Sequence, residues 1–61
     1  METYRAWRVD NIEIRNYGGN GYNVYIDGSE IDYFTLYDTN ENVIAERIKE
    51  RVKEVQFNML F

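Results

Sequence analysis

Asp38-Thr39-Asn40-Glu41-Asn42-Val43-Ile44-Ala45-Glu46-Arg47-Ile48-Lys49-Glu50-Arg51-Val52-Lys53-Glu54-Val55 is the one long stretch of helical period in this chain. With Ile48 at the centre and about 100° per residue, Ile44, Val52, Val55 and Met59 fall on one stripe. Glu46, Lys49, Glu50, Lys53 and Glu54 fall on the far side, as a solvated mixed-charge face. Asp38 stands three residues before Glu41, the spacing of a capping box, and Thr39 and Asn40 are also competent caps. A single apolar stripe needs an apolar surface to cover it, so the preceding residues must supply a sheet.

They read as strands. From Tyr4 to Val9 the apolar side is odd-numbered, and from Ile12 to Tyr17 it is even-numbered. A two-residue hairpin turn at Asp10-Asn11 explains the change, pairing Val9 with Ile12, Trp7 with Ile14 and Arg8 with Glu13. One long strand bulged at Asp10-Asn11 resets the parity as well. Tyr17-Gly18-Gly19-Asn20-Gly21 is the clearest turn, and as a loop it sets Ile14 against Val24 and Ile12 against Ile26. A one-residue slip would turn Val24 and Ile26 to solvent. After Tyr22–Ile26 comes a second turn, Asp27-Gly28-Ser29-Glu30. A tight turn there pairs Ile26 with Ser29 but misaligns Phe34 and Leu36. A longer loop is expected instead, with Ile26 opposite Phe34, Val24 opposite Leu36, and Ile31 and Tyr33 off the inner face.

The expected fold is therefore α+β: an antiparallel β-meander of three or four strands with one C-terminal helix packed on one face, residues 1–61 forming a single small domain. A helix at about 1.5 Å per residue is here as long as a strand of six or seven residues at about 3.3 Å. The inner face is expected to hold Trp7, Val9, Ile12, Ile14, Val24, Ile26, Phe34 and Leu36. The outer face is expected to hold Tyr4, Ala6, Arg8, Glu13, Arg15, Asn23, Tyr25, Tyr33, Thr35 and Tyr37. The apolar end, Phe57 to Phe61, either continues the helix or turns back onto a sheet edge.

Composition narrows the function. The chain has 61 residues, no His and no Cys. Disulfides, thiolate metal sites and the commonest general base are thereby excluded. Absence of Cys fits a cytoplasmic setting. Met1 to Arg5 lacks the pattern of a secretory signal, no apolar run is long enough to span a membrane, and the chain is expected to be a complete small product. Asp27, Glu30 and Asp32 lack calcium-loop spacing. Gly18-Gly19-Asn20-Gly21 lacks the helix and Lys of a phosphate loop. The expectation is a chain without catalysis, cofactor or metal.

The formal net charge is −4, and residues 27–46 hold Asp27, Glu30, Asp32, Asp38, Glu41 and Glu46 with no base. Such a chain does not suit phosphate backbones. Only Arg8 and Arg15 stand near the tyrosines to neutralise nucleic acid. The expected activity is that of a protein-binding module, an inhibitor or regulator docking on a basic partner. Its contact residues are an acidic edge of Asp27, Glu30, Asp32, Asp38 and Glu41, a tyrosine face of Tyr25, Tyr33 and Tyr37 with Arg15, or both. By analogy, small phage anti-defence proteins work this way. The alternative expectation is a homodimer formed through the tyrosine face or the apolar tail.

Overall fold

The computed structural model describes residues 3–59. Its elements run β1 (Arg5–Val9), β2 (Ile12–Asn16), β3 (Gly21–Ile26), β4 (Ser29–Thr35) and α1 (Glu41–Met59). The strands form one antiparallel sheet of four in the order β1-β2-β3-β4, and α1 covers one face. The architecture is the expected α+β meander with a C-terminal helix. Among the described residues no helix is long and apolar enough to cross a membrane.

Two registers follow the sequence pattern. Val9 pairs with Ile12, Trp7 with Ile14 and Arg8 with Glu13, so Asp10-Asn11 is a hairpin turn rather than a bulge. Asp10 takes the positive φ of 54° that an Asp tolerates in such a turn. Ile12 pairs with Ile26 and Ile14 with Val24. The loop between these strands is held from inside by Asn16, whose Nδ2 donates to the Gly21 carbonyl at 2.8 Å and to that of Gly19 at 3.3 Å. Asn16 is buried, and these bonds satisfy its amide group.

The third register corrects the expectation. Ile26 pairs with Ser29 across a tight turn, and Asp27 and Gly28 adopt φ of 51° and 84°, the two positive angles a type I′ turn requires. Tyr25 then faces Glu30 and Val24 faces Asp32, leaving Ile31 as the extra residue of a bulge. The bulge resets the parity of β4, so Phe34 lies opposite Tyr22 rather than Ile26. A long loop is therefore unnecessary: the tight turn supplies the reversal and the bulge restores Phe34 to the helix side. Asp32 is carried to that side too, where it meets Arg51 at 3.7 Å.

The core consists of Ile12, Ile14, Tyr22, Val24, Ile44, Ile48, Val52 and Val55, with Trp7, Ile26, Phe34 and Leu36 packed against it. Tyr22 belongs here by parity with Val24, and its ring stacks on Phe34 at 5.3 Å. Val9, placed inside by the sequence pattern, is 41% exposed, because it sits at the sheet corner on an edge strand. The helix cap is Asn40 rather than Asp38. Asn40 Oδ1 accepts from Asn42 N at 2.9 Å and Val43 N at 3.4 Å, while Asp38 Oδ1 accepts from Asn40 N at 2.8 Å. Asp38 thus shapes the turn before the helix. The apolar end continues α1 through Met59; Leu60 and Phe61 lie outside the described residues, as do Met1 and Glu2.

Candidate protein-binding surface

The sheet face opposite α1 is built around Arg15. Odd-numbered residues of β2 point to this face because Ile12, Ile14 and Asn16 point to the core. Cross-strand pairing sets Arg15 between Ala6 and Asn23, and Glu13 between Arg8 and Tyr25. Ala6 leaves room above the strand for long neighbours. The Arg15 guanidinium lies 4.3 Å from the ring centre of Tyr25 and 4.9 Å from that of Tyr4. Its Nη1 donates to the Tyr17 hydroxyl at 3.1 Å, and its Nε donates to Glu13. Tyr4 and Tyr17 are themselves tilted against each other at 4.9 Å between ring centres.

Glu13 bridges two cations, because its other oxygen accepts from Arg8 Nε at 2.6 Å. Partial burial works against its ionised form, but the hydrogen bonds from Arg15 and Arg8 outweigh it and hold the carboxyl below its ordinary value. Hydrogen bonding with Tyr17 and burial push the Tyr25 phenol above its ordinary value, so it keeps its proton at neutral pH. Across the sheet, Asn23 Nδ2 donates to Glu30 Oε1 at 2.7 Å. The Tyr33 ring packs against Gly21, where an added Cβ would stand 2.5 Å from the Tyr33 hydroxyl. Gly21 is thus the shelf on which Tyr33 rests.

Among the residues expected to bind a partner, the structure brings Arg15, Tyr25, Tyr33 and Glu30 onto this one face. Tyr37 is not with them: β4 ends at Thr35, and Tyr37 follows it at 79% exposure, beside Asp38 and Arg47 on the flank between β4 and α1. The five acids do not gather. Asp27 is in the β3–β4 turn, Glu30 is on the open face, and Asp32 faces the helix against Arg51. Glu41 is clamped by Arg5 at the start of α1, with Nη1 to Oε1 at 3.1 Å and Nη2 to Oε2 at 2.5 Å. Asp27 and Asp38 lie beyond opposite ends of β4, a seven-residue strand, about 23 Å long at about 3.3 Å per residue.

Tyr4 and Glu13, expected on the outer face from strand parity, complete it; Tyr17, expected only as the start of the loop, joins them through Arg15 and the Tyr4 ring. Among the described residues, no three His, Cys, Asp or Glu side chains converge to hold a metal ion. Compared with protein-family models, curated proteins and solved structures, the chain matches none.

Proposed function

We propose that this chain is a non-enzymatic protein-binding module, an inhibitor or regulator that docks on another protein through the open sheet face. The contact residues in this reading are Tyr4, Tyr17, Tyr25 and Tyr33 around Arg15. The observation that carries it is the fixing of Arg15 by Glu13, Tyr17 and two tyrosine rings on a face that no described element covers. Tyr and Arg are the side chains most enriched among residues that dominate binding energy. Holding them in place before contact reduces the ordering cost of association. Tyr33 is 56% exposed and Tyr17 45%, so their rings are not there to fill the core.

Charge has a separate role in the proposal. On the face itself Arg8 and Arg15 balance Glu13 and Glu30, so contact there is aromatic and hydrogen-bonded. The overall charge of −4 steers a partner with a basic surface at long range.

The test is partner recovery by the wild type and by the Tyr25→Ser, Tyr33→Ser double variant, with urea unfolding measured on both. The proposal expects recovery to fall while the variant remains folded. Unchanged recovery from a folded variant returns the tyrosines to a purely structural role.

A further inference from the structure

The two edges of the sheet are unlike. β4 is interrupted by the bulge at Ile31 and turns the charge of Asp32 inward, both of which hinder another strand from pairing with it. β1 has no bulge, and its one helix-side charge, Arg5, stands at the first residue of the strand, paired with Glu41. Its five residues keep an unbroken register with β2, and half of its N–H and C=O groups face away from the sheet.

Beside that edge runs an open apolar groove of about 370 Å³ between β1 and α1. Trp7, Val9, Ile48 and Val52 line it, and Lys49 and Lys53 stand one helical turn apart on its wall. Arg5 on Glu41 and Gln56 on Asp10 show that α1 lies alongside β1 at both ends. Among the described residues no carboxylate lines the groove. Lys49 reaches only Glu46, at 4.0 Å, and Lys53 has no ion-pair partner among the described residues. Arg8 borders the groove through its backbone strand, but its guanidinium is held on the other face by Glu13. In an acidic chain, this is an apolar surface flanked by one loosely paired and one unpaired lysine, next to a strand edge with which no described residue pairs.

We infer that this groove receives an extended acidic segment of another protein, which adds as an outer strand along β1. The main chain of the segment pairs with the free amides of β1. An apolar side chain covers Val9 and Val52, and neighbouring Asp or Glu side chains meet Lys49 and Lys53. Charge selects this occupant over a second copy of the chain. Two copies joined edge to edge through β1 would set one lysine-bearing groove against the other, and the lining of neither supplies a carboxylate. The chain's own acidic strand, β4, carries the bulge. The site is separate from the tyrosine face and does not depend on it.

Trp7 is the only tryptophan, so its emission reports the groove directly. The probe is a capped synthetic peptide of about six residues, a typical strand length, alternating Glu and Val. Saturable change in Trp7 emission is expected. Binding is expected to weaken at least about tenfold when Lys replaces Glu in the peptide, or when Lys49→Glu and Lys53→Glu are made together. That double variant is expected to prefer the Lys–Val peptide, and as an exposed change it leaves the circular dichroism spectrum intact. Proline at alternate peptide positions is expected to abolish binding by removing main-chain donors. No saturable binding, or equal binding of the acidic and basic peptides, overturns the inference. So does a concentration-dependent emission change without peptide accompanied by a doubled mass, since a second copy would then be the occupant.

Discussion

The guanidinium of Arg15 rests 4.3 Å from the ring centre of Tyr25, across the β2–β3 pairing and on the face away from the helix. This contact is diagonal, since Arg15 is paired with Asn23 and Tyr25 with Glu13. The same cation serves Tyr4, Tyr17 and Glu13. Its removal should therefore loosen Glu13 and Tyr25 on β2 and β3 together with Tyr4 and Tyr17, which flank β1 and β2.

Arg15→Ala is expected to lower the urea midpoint without altering the slope, because the face loosens while the core is untouched. Arg15→Lys should recover only part of the loss, since an ammonium lacks the planar fork that reaches Glu13 and Tyr17 together. Full recovery by Lys would mean that charge alone matters at this position.

Glu13 makes stability depend on acid. Its folded carboxyl lies below the ordinary value of 4.5, so its contribution is complete above that pH. The contribution is lost as pH falls below that value and through the folded one. Glu13→Gln should be less stable than wild type at neutral pH. The difference should shrink on acidification, as measured by thermal unfolding from neutral pH downward. A difference that grows towards low pH would contradict the bridging role.

The tight β3–β4 turn can be tested at Gly28, whose φ of 84° is strained for any residue with a Cβ. Gly28→Ala should cost about 1–2 kcal/mol in denaturant unfolding. Asp27→Asn should be nearly neutral, because Asn adopts the same left-handed angle with ease.

Asn40→Ala should destabilise the protein by about 1 kcal/mol, the usual loss of an N-cap. Asp38→Ala should cost less, since Asp38 orders only the turn before the helix. Urea melts of the two variants side by side decide between them, and the reverse order would return the cap to Asp38.

Much of this fold is legible before any coordinates. Parity with the glycine-rich turn sets β2 against β3, because a one-residue slip would turn Val24 and Ile26 to solvent, whereas for β1 parity leaves a hairpin and a bulge at Asp10-Asn11 both open. Tyr22, left out of the expected inner face, shares the parity of Val24 and lies in the core. β4 is harder to read. Its turn carries the stronger local signal, Asp27-Gly28, but a bulge at Ile31 hides behind an ordinary-looking run and shifts the side of every later residue. The expected longer loop kept Phe34 inside at the expense of the turn chemistry; the bulge satisfies both. The acids were legible as a block in sequence but not in space. A hairpin, an inward strand position and a helix start carry them to different faces. Asn16 and Asn40 are hydrogen-bonding solutions to local backbone needs, and several neighbouring residues were equally able to supply them.

The most direct test of the account is a photo-cross-linking scan. A benzophenone amino acid is placed at Tyr33 on the open sheet face and, separately, at Glu46 on the exposed face of the helix, both variants being checked for native unfolding behaviour. The account predicts a covalent adduct to a partner protein from position 33, reduced by excess unlabelled wild type and not by the Tyr25→Ser variant, and none from position 46. Adducts from position 46 alone, or only adducts between copies of this chain at position 33, would contradict it.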